Sequence, residues 1–216
     1  MRLVDLSHVI RHGMVTYPGL PGPEIGEHLS WEASRERYAP GTEIRIAQIS
    51  MVANTGTYLD TPAHRYRDGW GIDDLPLEMV AAVPGIVVDD TGPEIGPDAL
   101  KGLEVAQRAV LVRTGWSRHW GTERYGEQGH PYLTAAAAEA LVAGGATLVG
   151  IDSVNIDGTH TGERPVHTIL LGAGIPIIEH LTSLETLPAE GFDFFAVPQR
   201  VEGMGTFPVR AFAMVP

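Results

Sequence analysis

Apolar and polar residues alternate in short blocks along this chain, and each block suggests a local element. Residues 3–10 read as a short strand whose polar end is Ser7-His8. Tyr17-Pro18-Gly19-Leu20-Pro21-Gly22-Pro23 breaks both the strand and the helix period, which makes it a loop. Across residues 43–52, Ile44, Ile46 and Ile49 lie among polar residues. That is the alternation of a half-buried strand, and it runs on towards Asp60 with an interruption at Gly56. Residues 75–80 predict a short helix. Residues 85–88 and 110–113 predict apolar strands, the second ending in Thr114-Gly115-Trp116. The clearest helix is 134–143, with Thr134 placed to cap it and Gly144-Gly145 to stop it. An apolar strand at 148–151 ends at Asp152, and 173–178 leads into Glu179 in the same manner. Two more strands, 194–197 and 207–214, close the chain. Strands alternate with helices only in part, so the pattern predicts a mixed α/β fold rather than a regular doubly wound sheet. No repeat or linker divides it, and a single domain over residues 1–216 is expected.

Composition narrows the function. Apolar residues make up 44% of the chain and charged residues 19%, which suits a packed core and not a disordered chain. The formal net charge of −12 argues against nucleic acid and against an anionic membrane surface as partners. It leaves room for a locally positive or metal-bearing pocket that could take a small-molecule substrate. With no cysteine, disulfides, thiolate zinc sites and cysteine nucleophiles are excluded, and any metal must be held by His, Asp, Glu or water. The first residues lack the apolar run of a signal peptide, and no stretch is long enough to span a bilayer, so the expected location is the cytoplasm.

Three groups of residues could carry chemistry. Asp60 and His64 flank Pro62, which disfavours helix at Thr61 and favours a strand-to-loop turn aiming both side chains into one pocket. Asp60 is a hard oxygen ligand or an orienting partner, and His64 is a ligand or a base near neutral pH. Taken alone, the pair reads more readily as a polar turn with a surface histidine. Glu179 ends an apolar run, where a carboxylate is costly to bury unless it is paired or bound to a cation, and His167 lies upstream of it. The alternative for Glu179 is a solvated helix start. Asp152, Asn155, Asp157, His160 and Glu163 form a third group, which by itself reads as a solvated turn. His180, next to Glu179, points away from it if the chain there is extended. Gly-x-Ser-x-Gly, the phosphate-binding Gly-rich loop and His-Glu-x-x-His are all absent, which excludes the corresponding serine, nucleotide and zinc-protease chemistries.

Together these segments resemble the cyclase-like family of metal-dependent hydrolases that includes bacterial kynurenine formamidase and isatin hydrolase. The family hallmark His-x-Gly-Thr-His-x-Asp-x-Pro-x-His reads here Asn54-Thr55-Gly56-Thr57-Tyr58-Leu59-Asp60-Thr61-Pro62-Ala63-His64. The likeness extends to Asp5-Leu6-Ser7-His8, Tyr17-Pro18-Gly19, Arg113-Thr114-Gly115-Trp116, Gly150-Ile151-Asp152 and the segment from His167 to Glu179. The resemblance implies a swivelling β/β/α-type fold, a homo-oligomer (dimer or tetramer), a zinc or manganese site, and hydrolysis of an amide, formamide or lactam. It makes Asp60, His167 and Glu179 metal ligands and His64 the proton shuttle or a further ligand. Asn54 and Tyr58 stand where the family has histidines. A carboxamide is a weak donor, and a phenol is a poor ligand unless ionised, so one divalent metal is expected rather than a binuclear centre. Tyr58 then becomes a candidate catalytic hydrogen-bond donor to the developing oxyanion. Asn54, Tyr17 and Trp70 are expected to line the substrate pocket. Arylformamidase activity on N-formylkynurenine is the expected reaction. The alternative is a metal-free relative, either a small-molecule binding protein or a cyclase or dehydratase working through His64 and Tyr58.

Overall fold

The computed structural model describes residues 1–216, and its centre is built from the most apolar runs of the sequence. The strands in chain order are β1 (Arg2–Asp5), β2 (Glu24–Leu29), β3 (Ile46–Ser50), β4 (Tyr58–Asp60), β5 (Val83–Asp89), β6 (Glu94–Ile95), β7 (Ala109–Arg113), β8 (Tyr132–Leu133), β9 (Leu148–Ile151), β10 (Ile177–Glu179), β11 (Glu190–Phe195), β12 (Thr206–Pro208) and β13 (Phe212–Val215). The helices are α1 (Trp31–Ser34), α2 (Pro62–Arg65), α3 (Ala135–Ala143) and α4 (Pro165–Gly172). Nine strands form one sheet in the order β1-β13-β11-β5-β7-β9-β10-β4-β12. Its middle, β5-β7-β9-β10, is parallel, and every flanking pair is antiparallel. The fold is therefore mixed α/β, as the sequence pattern predicts.

Central strands buried on both faces must be apolar at successive positions. Val110, Leu111 and Val112 are fully buried, as are Leu148 and Val149. Alternation sends Leu111 and Leu148 to one face, with Leu59, Ile178 and Phe194. It sends Val110 and Val149 to the other, where α3 and α4 cover them with Leu141 and Leu170. Each such side chain contributes about 1.5–3 kcal/mol. Thr134 caps α3 as predicted, accepting from the Ala137 N–H, and Gly145 follows in a left-handed conformation (φ 75°). None of the helices is long and apolar enough to cross a membrane.

Several predicted elements are corrected. The first strand stops at Asp5, because Ser7 turns its hydroxyl onto the Val209 and Ala211 carbonyls and the His8 N–H goes to the Thr57 hydroxyl. The strand expected at 43–52 is half-buried in sequence pattern only. β3 pairs with β2 in a separate ribbon, and all five of its residues are exposed. The helix expected at 75–80 is one 3-10 turn, Leu77–Met79, after Pro76. The strand expected at 207–214 is two strands. β12 pairs with β4 at one end of the sheet and β13 lies near the other, so the three residues between them require the sheet to curl until its ends approach. Of the run 173–178, only the end is strand, in β10. Sequence reading missed β2, β6, β8, α1 and α4, and the turn expected after Asp60 is the short helix α2.

Candidate active site

Two neighbouring strands and two helix starts converge on one pocket. β4 and β10 pair Tyr58 with Glu179 and Asp60 with Ile177. Directly paired residues share a face, and so do residues two apart on a strand, so Tyr58, Asp60 and Glu179 lie together. α2 begins just beyond Asp60 with Pro62 in its first turn, which brings His64 back towards Asp60. That turn lies flat between two glycines. A Cβ on Gly205 would stand 2.4 Å from the His64 nitrogen, and one on Gly69 would stand 2.5 Å from the Pro62 carbonyl carbon. α4 also starts with a proline, Pro165, and carries His167 in its first turn. The carboxylate of Asp157 holds this helix start, accepting the Val166 N–H at 2.7 Å and the His167 N–H at 3.0 Å. A negative group at a helix N-terminus is favourable there.

Asp157 also fixes the His167 ring. Its Oδ2 lies 2.7 Å from His167 Nδ1, so that nitrogen donates, and Nε2 is turned outward as the nitrogen that offers a lone pair once it loses its proton. Nε2 lies 3.8 Å from Asp60 Oδ2 and 3.7 Å from Glu179 Oε1. Asp60 is fully buried, and its Oδ2 has no hydrogen-bond partner. Its other oxygen accepts from the Thr206 hydroxyl, which also lies 2.7 Å from His64 Nδ1. A hydroxyl has one proton to give. With that proton on Asp60, His64 Nδ1 is the donor to Thr206, and Nε2 is the ring nitrogen left open to the cavity. The His64 side chain is 34% exposed, at the edge of a cavity of about 530 Å³ that Asn155, Arg65, Arg164 and His167 also line.

Asp60, His64 and His167 offer one ligand atom each within 4.8 Å of one another, enough to hold a metal ion. The orphaned buried oxygen of Asp60 independently fits a cation, since a buried acceptor without a partner is costly. Glu179 adjoins this group. Its Oε1 accepts the Ile156 N–H at 2.7 Å, and its Oε2 accepts from Tyr58 OH at 2.6 Å and from Asn155 Nδ2 at 3.5 Å. Burial raises its pKa to about 7, with nearby Asp60 adding to the effect and His167 opposing it. Burial works to lower the His167 pKa, but the bond to Asp157 and the nearby carboxylates of Asp60 and Glu179 outweigh it and raise the value to about 10, so the metal-free ring is a cation at neutral pH. Burial, reinforced by Glu179 and Asp60, holds Tyr58 well above the usual phenol value, and Asn54 draws it back in part.

The other expected residues are placed as follows. Tyr17 packs against Trp116, Tyr125 and Val154. Trp70 lines a different cavity, with Tyr66 and Leu171. In the third group, Asn155 and Asp157 stand at the site, contrary to a reading of that loop as a solvated turn. Asp152 instead ties down the Thr114–Gly115 turn, accepting both backbone N–H groups and the Thr114 hydroxyl. His180 does not point away. Its φ of 58° abandons the extended backbone, and its Nε2 comes within 3.3 Å of Tyr58 OH. Thr206 was missed altogether. No local signal marks it, and only the register of β12 against β4 sets it opposite Asp60.

Known proteins match this chain over most of its length. Residues 4–158 match the family described as "Putative cyclase". The kynurenine formamidase of Salinibacter ruber is 27% identical over 98% of this chain and 96% of its own length. That of Bacillus cereus is 28% identical over 96% of this chain and 95% of its own. Isatin hydrolase A from Labrenzia aggregata, solved with benzyl benzoate bound, superposes with a TM-score of 0.84 at 25% identity, covering 99% of this chain and 93% of that one. With a family match over most of its length and a fold shared from end to end, the chain belongs to the cyclase family.

Proposed function

We propose that this chain is a metal-dependent hydrolase of an amide, formamide or lactam carbonyl, with arylformamidase activity on N-formylkynurenine as the first reaction to test. The observation that carries the reading is the buried, unpartnered Oδ2 of Asp60 facing His167 Nε2. Asp60, His167 and Glu179 would hold one zinc or manganese ion. Such an ion, when bound, polarises a carbonyl and lowers the pKa of water. His64, open to the cavity and held at Nδ1 by Thr206, takes the proton of the attacking water at Nε2 and returns it to the leaving nitrogen. The names of the relatives, kynurenine formamidase and isatin hydrolase, support this substrate class. Burial of Tyr58, and its bond to Glu179, argue against a metal-free cyclase or dehydratase that uses its hydroxyl directly on substrate.

The same reading has the enzyme working in the cytoplasm as a homo-oligomer, dimer or tetramer, on a small molecule and not on nucleic acid or membrane. Support for assembly comes from the ribbon of β2 and β3, where Ile25, Ile46 and Ile49 are each more than a third exposed. Protein purified without chelator should contain zinc or manganese and hydrolyse N-formylkynurenine, and exhaustive chelation should abolish turnover. Undiminished turnover in chelated, metal-free protein would refute the metal-dependent reading.

A further inference from the structure

Tyr58 stands behind the ligand set rather than in the cavity, with only 2% of its surface exposed. A phenol carries one proton, and Tyr58 gives it to Glu179 Oε2 at 2.6 Å. The oxygen of Tyr58 then accepts. His180 Nε2 lies 3.3 Å from it, and His180 Nδ1 lies 2.8 Å from Tyr125 OH. A neutral imidazole that donates from Nε2 and accepts at Nδ1 satisfies all three groups at once. The relay therefore has one direction: Tyr125 to His180, His180 to Tyr58, Tyr58 to Glu179. His180 enters it through a left-handed backbone (φ 58°), a conformation that a non-glycine residue keeps only where its surroundings impose it. Trp120 and Tyr125 pack against its ring, each with centroids 5.7 Å away.

The far end of the relay is asymmetric. Glu179 Oε2 accepts from both Tyr58 and Asn155, whereas Oε1 accepts only the Ile156 N–H and faces His167 Nε2. We infer that Tyr58, backed by His180 and Tyr125, is a positioning residue that grips Glu179 by Oε2 so that only Oε1 is presented to the cation beside Asp60 and His167. The inference rests on Glu179 being a ligand, as proposed above. It gives Tyr58 a role distinct from direct contact with substrate, and it limits the site to a single ion, because Oε2 already takes two donors whereas Oε1, with one, keeps an acceptor site open.

Manganese titration of metal-free protein tests this, with the wild type, Tyr58→Phe, Glu179→Gln, the double variant and Tyr125→Phe. Tyr58→Phe keeps the ring and removes the grip, and should weaken Mn²⁺ binding about 10- to 100-fold, the range for a partner one bond removed from the ligand. In the Glu179→Gln background the same change should cost nothing further, since the two act as one unit. Tyr125→Phe should weaken binding in the same direction by less, with a single ion per chain throughout. Thermal melts of the metal-free variants separate a folding defect from an affinity defect, and Tyr125→Phe carries the test if Tyr58→Phe does not fold. Loss of affinity in Glu179→Gln but not in Tyr58→Phe or Tyr125→Phe would overturn the positioning role and leave Glu179 a ligand. Wild-type affinity in Glu179→Gln would overturn both. An equal loss from Tyr58→Phe in both backgrounds would show that it acts by some route other than Glu179.

Discussion

Asp60 and Tyr58 lie two residues apart on one face of one strand, yet their surroundings are opposite. On the Asp60 side a buried carboxylate oxygen lacks a partner, a histidine ring nitrogen faces it, and a second histidine opens to a cavity. On the Tyr58 side the hydroxyls of Tyr58 and Tyr125 and both ring nitrogens of His180 have partners, and aromatic rings seal the relay from solvent. An unpartnered buried acceptor is a standing cost, tolerated where something else is to bind. A fully satisfied buried network gives rigidity instead. The same carboxylate, Glu179, borders both regions, one oxygen to each.

The contrast can be broken at its open side first. Asp60→Asn keeps the shape and removes the charge. It should weaken manganese binding by more than the roughly 100-fold expected for an outer partner, and reduce turnover of N-formylkynurenine to background. Next, His64→Ala should lower kcat by about 10² to 10⁴-fold, the usual worth of a general base. Manganese affinity should change little, and a collapse of affinity would make His64 a ligand instead. Thr206→Val frees the His64 ring and strips Asp60 Oδ1 of its donor. A kcat loss of roughly 10-fold is expected, with an altered pH–rate profile that a simple packing defect would not produce.

The smallest and most general effect is in stability against pH. His167 has its pKa raised to about 10, above its unfolded value, so its contribution is complete below about pH 6.5 and lost as pH rises towards 10. Glu179, raised to about 7 chiefly by burial, acts in the same sense between about pH 4.5 and 7. On the closed side the sign reverses. Burial lowers His180 to about 3 and His8 to about 4, so the unfolded chain takes up protons first and stability falls as pH drops below about 6.5. Urea midpoints of the metal-free protein should therefore decline towards both extremes. Bound metal should flatten the alkaline limb, by replacing protons at the open side, and leave the decline below pH 6.5, set by His180 and His8, in place.

How much of this was legible in the sequence follows from how local each cause is. The parallel centre of the sheet was readable because strands buried on both faces must be apolar in succession, as 110–113 and 148–151 are. β3 misled because alternation records a tendency to be half-buried but does not say what provides the cover. α4 escaped notice although Pro165 in its first turn was a usable start signal. In the site, Asp60 and His64 were visible as neighbours, and His167 and Glu179 gained their meaning from a resemblance. Thr206 lies 146 residues from Asp60 in sequence and depends wholly on strand register. His180 was placed wrongly because one positive φ undoes the alternation rule.

The two glycines that clasp the first turn of α2 bear on how this site tolerates change. A methyl group at Gly205 or Gly69 would touch neither ligand nor substrate, yet it would lift the backbone that carries His64. Such variants would keep the whole chemical inventory and lose its alignment. In a mutational survey scored on reactive side chains they would pass as silent, and in one scored on turnover they would group with loss of the base itself.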